Sequence, residues 1–318
     1  MIRQYWRHIG RTALVLLIGL SLVPAAQAAS RRIRVMGSST DLIAIAKELA
    51  RDRVEVYCPF PGYQEPELWV EEVFPSWAIK ASQADIYIRI GLFADIWADT
   101  LITDARNPRI NPGEPGHVDA SQGIEVLEIP TGPVDRSRGE IHLQGNPHYL
   151  LDPLNAKIVA DNILRALTAV SPPDTAFFQA NAADFKRRLD EAMVRWQQIA
   201  VPLQGKKLAS YHKTWSYLLR RFGMEAVGTV EPKPGIEPSP QDIRNLADTM
   251  VRQQVRLIIH EPVYPPRLPN AVAREVQRQL GEPVTVLKLP AHVEGVPEAR
   301  DYFAFVDYLL AALNAALR

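Results

Sequence analysis

Cysteine is nearly absent from this chain. Among 318 residues only Cys58 is a cysteine, so neither an internal disulfide nor a thiolate-rich metal site can form. The sequence also contains no G-x-S-x-G, P-loop, G-x-G-x-x-G or H-E-x-x-H motif, which excludes the most recognisable catalytic and nucleotide sites. Basic and acidic residues balance at 36 each, and this balance gives no indication of a nucleic-acid partner or an anionic membrane surface.

Long apolar runs are scarce as well, and the clearest one lies near the N-terminus. Three arginines precede an apolar run over residues 13–23, which is too short to span a bilayer. The sequence A-Q-A ending at Ala28 then fits the small-x-small pattern of signal-peptidase sites. We therefore predict a cleaved secretory signal peptide over residues 1–28 and a periplasmic mature protein, with a membrane anchor as the alternative. No cysteine directly follows the run, which argues against a lipid anchor.

Short strand patterns alternate with amphipathic helix patterns through the rest of the chain. This alternation predicts parallel sheets flanked by helices. It is interrupted by one long helical pattern over residues 174–199, which at about 1.5 Å per residue can cross between two domains. We predict an α/β protein with an N-terminal α/β lobe over residues 29–170, a linking helix over 171–200 and a C-terminal α/β lobe over 201–318.

Residues 104–145 depart from this alternation. They are rich in proline, glycine, asparagine and serine, and contain one predicted strand near Ile124–Ile129. We interpret them as a long surface segment. The segment leads into GNPHYLLDP (145–153), in which Asn-Pro precedes a histidine and Asp-Pro predicts the start of a helix.

Several polar side chains follow strands or lie at helix starts. His212 directly follows the strand KLASY, and His260 ends the strand VRLII. His148 precedes a helix start, while Glu65 and Glu67 lie in the loop after the second strand. Because ligands bind outside the carboxyl ends of parallel strands, these side chains can face one cleft. Imidazole and carboxylate without thiolate suit Zn²⁺, Mn²⁺ or Fe²⁺.

Five longer stretches resemble the zinc/manganese-type solute receptors of ABC transporters. In chain order they are GNPHYLLDPLNA, FFQANAADFKRRLD, SYHKTWSYLLRRFGME, IEPSPQDIRNL and GVPEARDYFAFVDYLL. The resemblance implies two small α/β lobes joined by one long rigid helix, with one divalent metal ion in the interlobe cleft. It further implies that the ion is passed to an ABC permease and that the protein is not an enzyme. We expect a monomer.

The resemblance also implies a set of metal ligands. The histidine of its NPH segment corresponds to His148, the histidine after the first strand of its second lobe to His212, and the aspartate at the start of its last helix to Asp301. Its first segment carries a histidine in a stretch resembling GYQDPH, whereas this chain reads GYQEPELW. Glu67 stands in that place across an apparent two-residue insertion. If Glu67 is a ligand, its carboxylate would shift the metal preference of the site from zinc towards Mn²⁺ or Fe²⁺. If Glu67 is instead exposed to solvent, the ion would have three protein ligands.

Several alternatives remain open at this point. Glu65 or His260 can replace the missing first-segment histidine as a metal ligand. Alternatively, His260 can form a hydrogen bond to one of the metal-binding residues without touching the ion. His117 and His142 lie in the long surface segment and are candidates for transient metal capture. A zinc-dependent hydrolase with Glu261 as base is the alternative function, and a metallochaperone or adhesin on the same fold is another. Zinc is the first expectation for the ion.

Overall fold

Two four-stranded parallel sheets organise the protein. The computed structural model describes residues 31–68, 73–131, 142–232 and 236–318, and the predicted signal peptide lies outside them. The strands in the described residues are β1 Ile33–Gly37, β2 Val54–Tyr57, β3 Ile86–Arg89, β4 His117–Asp119, β5 Lys207–Ser210, β6 Glu225–Thr229, β7 Leu257–His260 and β8 Thr285–Lys288. The sheet orders are β2-β1-β3-β4 in the first lobe and β6-β5-β7-β8 in the second, so one topology occurs twice.

Helices cover these sheets and connect them. In the described residues they are α1 Thr40–Ala50, α2 Pro75–Gln83, α3 Trp97–Ala105, α4 Asn155–Val170, α5 Thr175–Ala200, α6 Ser216–Phe222, α7 Pro240–Arg252, α8 Arg267–Leu280 and α9 Tyr302–Ala316. None of the described helices is both long enough and apolar enough to cross a membrane. The α/β architecture with two parallel-sheet lobes is therefore confirmed.

The central strands are apolar because both of their faces are covered. Val35 of β1 pairs with Val56 on one side and with Ile86 on the other, in parallel register. Ile86 and Ile88 are completely buried. Strands this rich in buried apolar residues are typical of parallel sheets, which helices cover on both sides.

The fourth strand of the first sheet lies earlier in the chain than predicted. It is β4, which pairs with β3 through Tyr87 and His117, whereas the predicted strand near Ile124–Ile129 does not form. Glu128 adopts φ 57°, a left-handed conformation that interrupts an extended ladder. The backbone N–H of Leu127 donates to the Tyr217 hydroxyl instead of to a strand.

The predicted long helix is confirmed as α5, which has 26 residues. Asn181 donates from its side chain to the backbone oxygen of Leu49 in α1 at 3.0 Å. Trp196, near the other end, donates from Nε1 to Asp307 of α9 at 2.6 Å. Because α5 is tied to the first lobe at one end and to the closing helix at the other, it is a rigid connection between the lobes. Its buried face consists mainly of Phe178, Phe185, Leu189, Met193 and Trp196.

The two lobes are in direct contact beside the carboxyl ends of their strands. Tyr217 of α6 donates to the backbone oxygen of Asn146 at 2.9 Å. Thr40, at the start of α1, donates to the backbone oxygen of Val293 at 2.6 Å. These contacts hold the loops that follow the strands of both sheets around a common cleft.

Candidate metal centre

Three histidines surround Glu67 in the cleft. A short 3-10 turn, Pro66–Leu68, places this glutamate after β2. Nε2 of His148 lies 3.3 Å and Nε2 of His212 lies 3.4 Å from its Oε1 atom. Nε2 of His142 lies 2.8 Å from Oε2. The three rings meet edge to face, with centroids 5.7 to 5.8 Å apart. The structure thus brings together three of the four predicted ligands and adds His142.

Asn146 fixes the ring of His148. Its side-chain oxygen accepts from the backbone N–H of His148 at 2.9 Å and lies 3.0 Å from Nδ1. Nδ1 donates to this oxygen, because an amide oxygen can only accept. In the neutral ring Nε2 therefore carries a lone pair, and it points towards Glu67. The Asn146 amide nitrogen also donates to the backbone oxygen of Lys213 at 2.7 Å, which joins this loop to the second lobe.

His212 is held by a carboxylate from the neighbouring strand. It directly follows β5, and its Nδ1 lies 2.7 Å from Oε2 of Glu231, which follows β6. A carboxylate behind a histidine is the usual second partner of a metal-binding imidazole. Nε2 of His212 is buried and has no hydrogen-bond partner in the described structure. An unpartnered buried nitrogen aimed at Glu67 fits a site for a metal ion.

Charge in the cleft favours an ionised glutamate and a protonated histidine. Burial opposes ionisation of Glu67, but the neighbouring His148 and the hydrogen bond from His142 outweigh it and hold its pKa well below the usual range. Burial likewise opposes a charge on His212, yet the hydrogen bond to Glu231 and the charge of Glu67 raise its pKa to about 9. A divalent cation can therefore replace bound protons in this cleft.

A second carboxylate–histidine pair lies beside the first. Oε2 of Glu65 lies 3.9 Å from Nε2 of His148 and 2.9 Å from Nε2 of His292. His292 is held on its other side by Asp41, with Nδ1 and Oδ2 2.5 Å apart. Burial opposes a proton on His292, but the charges of Glu65 and Asp41 outweigh it and raise its pKa well above the ordinary value. Glu65 and Glu67 therefore both face His148, and together the three form a group able to hold an ion.

Asp301 is not brought to this cluster. Its Oδ1 accepts from the backbone N–H of Ala304 at 2.8 Å and so caps the first turn of α9. Its Oδ2 lies 3.6 Å from Nε of Arg300, and its side chain is 42% exposed. The carboxylate is occupied by the cap because the first turn of a helix leaves backbone N–H groups unsatisfied. His292, in the loop before α9, contacts the Glu65 side of the cluster instead.

His260 and Glu261 lie near His212 but outside the Glu67 cluster. The buried His260 directs Nδ1 to the backbone oxygen of Glu261 at 3.0 Å, and burial lowers its pKa. Glu261 is fully buried, and neither carboxyl oxygen has a partner of ordinary hydrogen-bond geometry in the described structure. Burial raises the pKa of Glu261 to about 8, so at neutral pH this group keeps its proton.

Sequence reasoning missed Glu231 at this site and gave His142 a different role. Glu231 ends the β6 region, so the rule on strand ends could have identified it. His142 was predicted only as a candidate for transient metal capture, because a residue 75 positions from Glu67 and on no strand or helix gives no signal for a place beside that glutamate. The resulting set of three imidazoles and one or two carboxylates is chemically suited to Zn²⁺ or a similar divalent ion.

Comparison with known proteins gives one clear family. The sequence model of the family described as "Zinc-uptake complex component A periplasmic" matches residues 35–316. The manganese ABC transporter substrate-binding lipoprotein PsaA of Streptococcus pneumoniae is 23% identical over 262 residues, which cover 81% of each chain. The high-affinity zinc uptake system protein ZnuA of Brucella abortus (strain 2308) is 27% identical over 134 residues, 42% of this chain and 40% of that protein.

Solved structures show the same fold. A crystal structure of ZnuA superposes with a TM-score of 0.72 at 22% identity, covering 90% of this chain and 100% of that one. The Mn-bound periplasmic metal-binding protein of Candidatus Liberibacter asiaticus gives a TM-score of 0.69 at 19% identity, with the same coverage. The family match spans nearly all of the described chain, and the solved structures share its two-lobed fold with the long helix. This protein therefore belongs to the ZnuA family of periplasmic zinc-uptake components.

Proposed function

We propose that this protein captures a divalent transition-metal ion between its lobes and delivers it to the permease of an ABC transporter. One observation carries the proposal: imidazole nitrogens from both lobes converge on the carboxylate of Glu67, whose side chain is only 10% exposed. Zinc is the expected ion, with manganese and iron as alternatives, and relatives are named for transport of zinc or manganese. The ion is transported unchanged, and the protein catalyses no reaction.

The proposed ligands are His148, His212 and Glu67. Each histidine is held by a hydrogen bond at Nδ1 and directs Nε2 towards the same carboxylate. Asp301, also expected from the sequence, would have to leave its helix cap to reach an ion. Asp301 is therefore the least supported of the four metal ligands that the sequence analysis named.

The location and assembly of the protein are also part of the proposal. The apolar N-terminal run and its A-Q-A sequence support export to the periplasm with cleavage after Ala28. The relative PsaA is named a lipoprotein, but here no cysteine lies directly after the apolar run to take a lipid. We further propose a monomer with lobes over residues 29–170 and 201–318 and a linking helix over 171–200.

The hydrolase alternative loses support from the position of its proposed base. Glu261 is sealed from solvent and holds its proton at neutral pH, so it is a poor acceptor for a proton from water. The relatives are named as transporter components. A metallochaperone or adhesin with the same fold is distinguished by whether the loaded protein stimulates a permease.

Zinc and manganese titrations of the purified mature protein test the proposal. Replacing both His148 and His212 by alanine should abolish tight binding, because each lobe then loses its imidazole. His117→Ala is the matched control, since that ring bonds to the backbone oxygen of Ile110 away from the cluster. If the double variant bound either ion as tightly as the wild type, the proposed site would be refuted.

A further inference from the structure

His142 approaches Glu67 from outside the segments that carry the predicted ligands. It lies near the end of the long surface segment, and its Nε2 lies 2.8 Å from Oε2 of Glu67. Its side chain is 20% exposed, against 5% for His148 and 4% for His212. His142 is thus the most solvent-accessible of the three rings at this carboxylate.

We propose that His142 is a further metal ligand, which completes a site of three imidazoles and one carboxylate. This inference rests on the proposed function and defines its selectivity. Nitrogens of His142 and His212 and an oxygen of Glu67 all lie within 4.8 Å of one another, in a group able to hold a metal ion. Glu67 also belongs to the corresponding group with His148, so one carboxylate links all three rings.

The turn after His142 restrains its backbone. The N–H of Gly145 donates to the backbone oxygen of His142 at 2.8 Å. Gly145 has φ +94°, and a Cβ there would lie 2.3 Å from Cγ1 of Val126, so a larger residue does not fit. The next residue, Asn146, donates its N–H to the backbone oxygen of Leu127 at 2.8 Å. The ring is therefore presented by an anchored turn that continues directly into the loop of His148.

A third imidazole changes which ion the site prefers. With Glu67 in the place of a histidine, only the two imidazoles of His148 and His212 remain, and this exchange of a nitrogen for an oxygen ligand shifts the preference of the site from Zn²⁺ towards Mn²⁺ or Fe²⁺. His142 restores a third nitrogen ligand. Three nitrogens and one oxygen suit four-coordinate Zn²⁺, whereas Mn²⁺ prefers more oxygen ligands in octahedral geometry. His142 thus compensates for the first-segment histidine that this chain lacks.

The competing role for His142 is a hydrogen-bond donor that orients Glu67 without touching the ion. Two substitutions separate these roles. His142→Ala removes both the hydrogen bond and the nitrogen ligand. His142→Gln keeps an N–H donor for Glu67 but supplies no imidazole.

X-ray absorption at the zinc edge, on protein loaded with one equivalent of zinc, counts the imidazole ligands directly. We expect three in the wild type and in His117→Ala, and two in both His142 variants. Chelator competition should show zinc affinity lowered roughly 100-fold in both His142 variants, with manganese affinity lowered less than about 10-fold. Circular dichroism of the metal-free proteins checks folding, and His142→Gln carries the test if His142→Ala does not fold.

Two results would overturn the role of His142 alone: zinc bound by only two imidazoles in the wild type, or wild-type zinc affinity in His142→Gln. Zinc binding that is lost in the His148/His212 double variant would still support the proposed function in either case. A wild-type protein that bound none of zinc, manganese and ferrous iron would overturn the proposed function and this inference together.

Discussion

The side-chain oxygen of Asn146 lies 3.0 Å from Nδ1 of His148, while its amide nitrogen lies 2.7 Å from the backbone oxygen of Lys213. One asparagine therefore orients a proposed ligand of the first lobe and contacts the second lobe at the same time. Asn146 is completely buried, so water cannot easily replace either contact. Its position explains the stiff Asn-Pro sequence before His148.

Replacing Asn146 by alanine should weaken zinc binding about 10- to 100-fold, because the His148 ring would lose the partner that fixes its tautomer and direction. Chelator competition measures this loss. Asn314→Ala is the control, since Asn314 donates to backbone oxygens of Ile199 and Leu310 far along α9 from its start. Equal zinc affinity in the Asn146 and Asn314 variants would contradict an orienting role for Asn146.

Metal binding at pH 7 should release protons. His212 has a pKa of about 9 in the metal-free protein, so its ring is protonated at pH 7 and must lose that proton to bind an ion. Affinity should therefore rise with pH between 6 and 8, by about tenfold per pH unit for each proton displaced. Titration calorimetry in buffers of different ionisation enthalpy counts the protons. Glu231→Gln, which removes the carboxylate behind His212, should reduce the number released at pH 7.

Glu261 should make the metal-free protein less stable as pH rises. Its pKa is about 8 in the folded protein, against about 4.3 for an exposed glutamate. Between these values the unfolded chain gives up the proton and the folded chain keeps it, so stability is greatest below about pH 4.3 and falls as pH approaches 8.

Glu261→Gln removes this pH-dependent penalty. Its midpoint of thermal unfolding, relative to that of the wild type, should be higher at pH 8 than at pH 5. Glu55→Gln, at an exposed position of β2, should show no such change with pH. A Glu261→Gln difference that stays constant from pH 5 to pH 8 would rule out the buried, protonated glutamate.

Two adjacent arginines of α6 allow a matched comparison of interlobe ion pairs. Arg221 donates two hydrogen bonds to the buried Asp152, at 2.7 and 2.6 Å. Arg220 pairs with Glu125, whose side chain is 78% exposed. Breaking a buried pair leaves a charge without its partner, whereas an exposed pair contributes little.

Asp152→Asn should therefore lower the free energy of unfolding by about 2 kcal/mol, while Glu125→Gln should leave it unchanged within error. Urea denaturation of the metal-free proteins measures both. Equal effects of the two substitutions would show that burial of Asp152 does not determine the strength of this contact.

Local patterns predicted most of the secondary structure correctly. Residues 239–242, Ser-Pro-Gln-Asp, have the sequence pattern of a helix start, and Ser239 and Asp242 are bonded reciprocally in a capping box at the start of α7. The 26-residue α5 follows the spacing of its aromatic and aliphatic residues. The strand near Ile124 was wrong because Glu128 turns the chain into a left-handed conformation, a choice that depends on packing around Leu127 and Tyr217.

The cluster was less predictable than the fold. Position after a strand or before a helix indicated His148 and His212, and the family resemblance indicated Glu67. The same signals pointed to Asp301, whose carboxylate is used as a helix cap. They placed His142 only in the long surface segment, as a candidate for transient metal capture, because it lies on no strand or helix whose geometry would direct its ring to Glu67.

The sequence by itself determined the alternation of strands and helices, the long connecting helix, and the stiff loop that carries His148. These features depend on residue spacing and on contacts within a few residues, which a sequence displays directly. Only the tertiary structure decided that His142, His148 and His212 share the single carboxylate of Glu67. That convergence depends on how loops from two lobes pack together. A separation of 75 residues, as between Glu67 and His142, does not indicate whether two side chains are close in space.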